Sequence, residues 1–301
     1  MRKRIKKIAK FTKRGRPKAF KVFLIISLVA SWLLTGWPGI ESRIMNYELS
    51  FPPKIKETQA AFGTGGGTCS AGVKSSGTSL NCTVATENFD AGNIAILWFA
   101  GDNTATTDGN DGLLTSVTDS QLNTWTVQRC FTNSQGAAAA GATTCIAWSK
   151  LTTTLVSATD TITTNFSTIV AKGFVVKEFT VAAGNSIQVA GTPQDLANDG
   201  ADPGSLTISG LTSKEYLFVR STALERSAGG TWTPTTNYTT SECAGSASGN
   251  TLTNMESCGE FRILTGTGDT SDPTGTAVDN ASIYLAFEEF TSNPTFTQND
   301  F

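Results

Sequence analysis

The chain has no histidine among its 301 residues. A Ser-His-Asp triad, a Cys-His dyad and an imidazole metal site are therefore all excluded. Acidic residues are absent before Glu41, and cysteines are absent before Cys69. A sustained 3.6-residue apolar period is also missing from the long polar remainder, which leaves little room for amphipathic helices. EF-hand spacing does not occur, and neither does a type IV pilin signature with its Gly-Phe cleavage point. What remains open to an enzyme of this composition is a paired-carboxylate hydrolase, which needs only Asp and Glu about 5 to 9 Å apart across a sugar cleft.

The charge that is present is sharply divided. Residues 1–21 hold 11 of the 23 Lys and Arg, whereas from position 41 onward 12 basic residues face 25 acidic ones, a net of −13. Between these regions Val22 to Ile40 is uncharged and apolar, 19 residues long, enough for about 28 Å of helix. The positive-inside rule places the basic arm in the cytoplasm and everything after Glu41 outside, with Trp32 and Trp37 toward the outer interface. The triplets Val29-Ala30-Ser31 and Thr58-Gln59-Ala60 are poorly placed for a signal peptidase, so an uncleaved anchor is expected; cleavage would make the protein secreted. A charge run abutting an apolar span reads as topological, and no nucleic-acid partner is expected.

Six cysteines (Cys69, Cys82, Cys130, Cys145, Cys243, Cys258) all follow the apolar segment, as expected for an oxidising compartment. Residues 41–67 read as a stalk, with Pro52-Pro53 and a flexible Gly63-Thr64-Gly65-Gly66-Gly67. A single domain is expected over 68–293, followed by a tail, 294–301. Short apolar runs between Gly, Asn and Asp turns predict an all-β, antiparallel double-sheet sandwich or jelly roll. Ile94 to Phe99 is apolar on both faces, so that strand should be central and covered outside. Ile94–Ala100, Trp125-Thr126 and Phe174–Thr180 recur in order as Tyr216–Thr222, Trp232-Thr233 and Leu285–Thr291, a weak internal repeat that pairs Ile94 with Tyr216. Equal spacing within its halves favours the bridges Cys130–Cys145 and Cys243–Cys258, leaving Cys69–Cys82.

The candidate carboxylates are Glu178, Glu288 and Glu289, set against the alternative of a solvated strand face. The Glu-x-Asp-x-x-Glu pattern of jelly-roll glucanases is absent. Asp102, Asp108 and Asp111 head a series of acidic loops that would suit Ca²⁺, set against ordinary turn chemistry. Trp125 and Trp232 are candidate glycan-stacking rings. Asn81, Asn165, Asn237 and Asn280 open Asn-x-Ser/Thr sequons.

Ser116-Val117-Thr118-Asp119-Ser120, followed by Asn123 and Trp125, together with the later Val176-Lys177-Glu178-Phe179 strand, resembles secreted β-sandwich domains of bacterial and phage surface proteins. The likeness spans roughly residues 90 to 291. It departs at Gln121-Leu122, where a turn Gly is usual. It implies fold and location and carries no activity. The expectation is a membrane-tethered surface domain with a structural, adhesive or ligand-binding role toward a glycan or surface protein. The alternatives are a carboxylate-dependent glycoside hydrolase and a phage or fibre subunit.

Overall fold

A computed structural model describes residues 62–246 and 253–291. The basic arm, the apolar segment 22–40, the stalk up to residue 61 and the tail 294–301 lie outside the described residues. Sixteen strands are described: β1 (Gly63–Thr83), β2 (Ile94–Asp102), β3 (Gly109–Asn110), β4 (Leu114–Asp119), β5 (Thr126–Asn133), β6 (Ala142–Lys150), β7 (Thr161–Thr180), β8 (Asn185–Ala201), β9 (Leu206–Ile208), β10 (Lys214–Leu224), β11 (Trp232–Thr233), β12 (Thr239–Gly245), β13 (Glu256–Gly266), β14 (Asp269–Ser271), β15 (Thr274–Gly275) and β16 (Val278–Thr291). Among the described residues no helix is long and apolar enough to cross a membrane.

Two antiparallel sheets dominate. The first runs β1-β7-β2-β6-β5-β3, with β4 also on β7, and the second runs β12-β13-β10-β16-β8. They meet across one apolar layer, where Ile94, Ile96, Trp98, Ile146, Val175 and Phe179 face Leu217, Val219, Phe261, Ile283, Leu285 and Phe287. Phe179 and Phe261 meet edge to face across that layer, with centroids 4.8 Å apart. Such pairs add about 1 kcal/mol beyond the burial of their area.

As its two-faced apolarity predicts, β2 is central between β6 and β7 and buried at all nine positions. Its outer residues Ala95, Leu97 and Phe99 are covered because β1 and β7 continue far past it as a ribbon carrying β4. That ribbon brings Ile162, Phe166, Val117 and Leu114 over them. Residues 161 to 180 are thus one continuous strand, β7. The second sheet's outer face is closed by Tyr216, Phe218, Tyr238 and Tyr284 beneath β9 and its partner β14.

The repeat is visible as topology. In each sheet five strands occur in the same spatial order, β1-β7-β2-β6-β5 against β8-β16-β10-β13-β12, and in the same order along the chain. Cys130 lies opposite Cys145, and Cys243 opposite Cys258. Both pairs are bonded, at Cα separations of 4.1 and 4.3 Å, the close spacing of non-hydrogen-bonded antiparallel partners. Cys69–Cys82 joins two points of β1 where it bends with β7 over the core.

Two corrections concern the sequence reading of the domain. The Gly-rich end of the expected stalk is not a flexible linker: β1 begins at Gly63, five residues before the anticipated domain start. The equivalence of Ile94 with Tyr216 is also out by one residue. Phe99 pairs with Cys145 and Thr222 with Cys258, so the bridges align Ile94 with Leu217. Both of these residues face the shared layer, whereas Tyr216 faces outward. With a side-chain period of two, a slip of one residue exchanges the faces.

Candidate functional site

Glu178 on β7 is the sequence candidate that a pocket surrounds, although it is not solvated: its residue is 2 % exposed. Oε1 accepts from the Asp90 N–H and from Asn93 Nδ2, each at 2.6 Å, and Oε2 accepts from the Gly67 N–H at 3.2 Å. Three donors replace the water that burial removes, which is how a carboxylate is tolerated inside. The glycine run makes this approach available. A β-carbon at Gly65 would fall 2.2 Å from Glu178 Oε2, and one at Gly67 would fall 2.8 Å from the Phe89 ring. The expected flexible linker is therefore a strand stripped of side chains so that it can cross a buried carboxylate.

Over this latch opens a pocket of about 470 Å³, lined by Gly65, Gly66, Thr86, Glu87, Asn88, Asp90, Asn93, Ser157, Glu178 and Thr180. Thr86 is held at φ +62°, an uncommon conformation for a β-branched residue, just before Glu87. Asn88 Oδ1 accepts the Ser157 N–H at 2.8 Å and so ties the two loops of the rim together. The lining is carboxylate, amide and hydroxyl, groups that suit a hydroxylated or cationic ligand. Glu87, Asp90, Asn93 and Ser157 were not singled out from the sequence. They come from two loops, β1–β2 and β6–β7, which lie far apart in sequence.

The other carboxylate candidates serve the fold. Glu289, 5 % exposed, accepts from the Ala182 N–H at 3.2 Å and from Asn185 Nδ2 at 2.6 Å, closing the β7–β8 turn. Glu288 is ion-paired with Lys214 and takes a hydrogen bond from Gln188. The solvated-face reading is corrected for Glu178 and Glu289, both of which are buried under backbone and amide donors. Glu178 lies in the first sheet and Glu288 and Glu289 in the second, so the three are not neighbours in one sheet.

Each acidic-loop candidate is engaged by the fold, and Asp102 lies at the end of β2 rather than in a loop. Asp102 accepts from the Ala171 N–H, Asp108 from Ser134 N–H and Oγ, and Asp111 from Thr132 Oγ1. Among the described residues, three acidic or sulfur ligand atoms come within 4.8 Å of one another only at Cys243, Glu256 and Cys258, so Asp102, Asp108 and Asp111 do not share a point. Both of those sulfurs are bonded to each other.

Neither candidate tryptophan lines the pocket. Trp125 is half-buried, packs against the outer core of the first sheet, and donates from Nε1 to Asp119 Oδ2 at 2.7 Å. Asp119 Oδ1 also accepts from the Gln121 and Asn123 N–H groups at 2.9 and 3.1 Å. The Thr-Asp-Ser…Asn-x-Trp motif is thus a turn lock. Leu122, where a glycine was expected, is left at φ +59° and 88 % exposed. Trp232 is half-buried on β11, with its Nε1 enclosed and without a hydrogen-bond partner.

A carboxyl pair missed from sequence sits where the shared layer ends. Glu225, 6 % exposed, is hydrogen-bonded to Asp279. Burial first, then the charge of Asp279 and its hydrogen bond, and then Asp102, push Glu225 up to about 8. Burial likewise raises Asp102, against the Ala171 and Val170 N–H groups and Lys172, which lower it. No protein-family model, curated protein or solved structure matches this chain.

Proposed function

We propose that this protein is an exported β-sandwich, tethered by residues 22–40, whose outer domain binds a ligand at the cell surface. The observation that carries the reading is the closure of all six cysteines into three bridges within the domain that follows the apolar segment. Structural disulfides belong to oxidising compartments. A basic arm of 11 charges ahead of the span gives the matching orientation. Alkaline phosphatase fused after residue 61 should be active in a bacterial host, while a reporter that works only in the cytoplasm should be silent. The opposite pattern would refute export.

The ligand-binding part rests on the polar pocket around Glu178. Its carboxylate, amide and hydroxyl lining fits a polyhydroxylated ligand such as a surface glycan held by hydrogen bonds, with the aromatic rings elsewhere. A glycan array probed with the purified domain tests this. Binding that survives Glu87→Ala together with Ser157→Lys would place recognition outside the pocket. Hydrolysis is the less favoured use, because the two oxygens of Glu178 already take three N–H donors.

A further inference from the structure

The three bridges are not chemically alike. Cys69, Cys82, Cys130 and Cys145 all lie inside the apolar cluster on the outer side of the first sheet. In the third bridge Cys258 is fully buried, but Cys243 is only half-buried, unlike the other five cysteines. The guanidinium of Arg226 reaches that bridge: its Nη2 donates to Cys258 Sγ at 3.7 Å, while its Nε holds Glu256 Oε2 at 2.5 Å. Glu256 is further held by the Gly229 N–H at 2.7 Å. Beside Cys243 the strand is irregular, with the β12–β13 register shifting between Thr240 and Cys243 and Glu242 at φ +90°. β12 is also the edge of its sheet.

We infer that Cys243–Cys258 is a thiol-exchange site, in which the thiolate of a low-molecular-weight thiol attacks Sγ of Cys243 and Cys258 leaves beside Arg226. Access selects the attacked sulfur, and a cation on the other sulfur selects the leaving group. In the first step the external thiolate forms a new S–S bond to Cys243 as the Cys243–Cys258 bond breaks, and its electron pair goes to Cys258. A second external thiolate then attacks the external sulfur of the mixed disulfide, releasing Cys243 as thiolate. The external thiols are oxidised to their disulfide, the protein gains two electrons, and both protein thiolates take protons from water. Glu256 lies within 4.8 Å of both sulfurs and opposes negative charge there. Its charge is met by Arg226 Nε and the Gly229 N–H, while Nη2 donates both to the Gly230 carbonyl, at 3.3 Å, and to Cys258 Sγ. The duplicated bridge Cys130–Cys145, at the equivalent place in the first sheet, is an internal control with neither exposure nor this contact.

The folded full chain, incubated with reduced and oxidised glutathione, quenched in acid, alkylated and mapped by mass spectrometry, tests the assignment. Cys243 and Cys258 should become alkylated at least tenfold faster than the other four cysteines, with glutathione captured on Cys243. Simultaneous opening of all three bridges, earlier opening of Cys130–Cys145, absence of any opening, or glutathione on Cys258 would each overturn it. The paired substitution Arg226→Gln with Glu256→Gln removes both charges without stranding either. It should slow exchange about tenfold, as loss of a stabilised leaving thiolate requires. An unchanged rate in a folded variant would remove Arg226 from the step, and the wild-type mapping stands independently of that variant's folding.

Discussion

Glu225 makes the stability of the domain fall as pH rises across the neutral range. Its carboxyl is raised from 4.5 to about 8 by burial and by the adjacent Asp279 and Asp102, so in the folded state it keeps its proton while the unfolded chain loses one. The stabilisation is complete below the unfolded value and is lost progressively as pH climbs from about 4.5 through 8. At about 1.4 kcal/mol per unit, a shift of this size amounts to on the order of 4 kcal/mol over the window. Glu225→Gln isolates the effect, because the amide can donate to Asp279 as the protonated acid does but never ionises. Urea unfolding followed by tryptophan fluorescence, with disulfides intact, would be run from pH 5 to 8.5 on both proteins. The wild type should lose several kcal/mol relative to the variant, and the variant should be the more stable at pH 8.5. Parallel curves would show that Glu225 is already ionised in the folded state and that the reasoning from its burial is wrong.

Three further outcomes test the local reading. Glu178→Gln turns an amide N–H toward donors that need an acceptor; it should cost about 3 kcal/mol in urea unfolding, and a loss below about 1 kcal/mol would mean the latch is dispensable. Leu122→Gly should raise stability by about 0.5 to 1 kcal/mol, since relief of the left-handed cost exceeds the entropy glycine adds to the unfolded chain; a fall in melting temperature would show that the exposed leucine is engaged after all. Gly259→Ala puts a β-carbon 2.5 Å from Ser241 Oγ and 2.9 Å from the Trp98 indole, which should cost about 2 to 3 kcal/mol. A neutral result, with wild-type tryptophan emission, would show that the shared layer yields there.

Much of the architecture was legible because it depends on local pattern. The apolar run Ile94 to Phe99 announces a strand buried on both faces, and that is where β2 sits. The matched spacing of the last four cysteines announces two cross-strand bridges at equivalent places. Strands whose residues are polar or small were not legible. β8 runs through Asn, Gln, Asp and Pro, its apolar alternation limited to Ile187 and Val189, and β12 runs through Thr, Ser, Cys and Gly. They are strands because the repeat topology gives each a partner, β16 and β13. Tertiary pairing of this kind overrides intrinsic β preference.

The candidate site was half legible, and its hidden half follows from the same cause. Glu178 stands out as a charge in an apolar strand, but whether such a charge is wet or buried depends on what crosses it. What crosses it is Gly65 to Gly67, whose composition is that of a linker. Glycine run and buried carboxylate explain each other only when they are set side by side: the strand lacks side chains because the carboxylate occupies their space, and the carboxylate stays buried because a glycine N–H reaches it. The pair Glu225 and Asp279 is hidden in the same way, since nothing near either residue in sequence forecasts the other. The repeat links the two cases to the bridges. The halves share topology and disulfide position, yet Cys130–Cys145 is sealed in an apolar cluster while Cys243–Cys258 has one half-buried cysteine and an arginine at the other sulfur. A repeat that conserves its frame leaves each copy free to place charge differently, and the charged groups that differ between the two halves are those to which chemistry can be assigned.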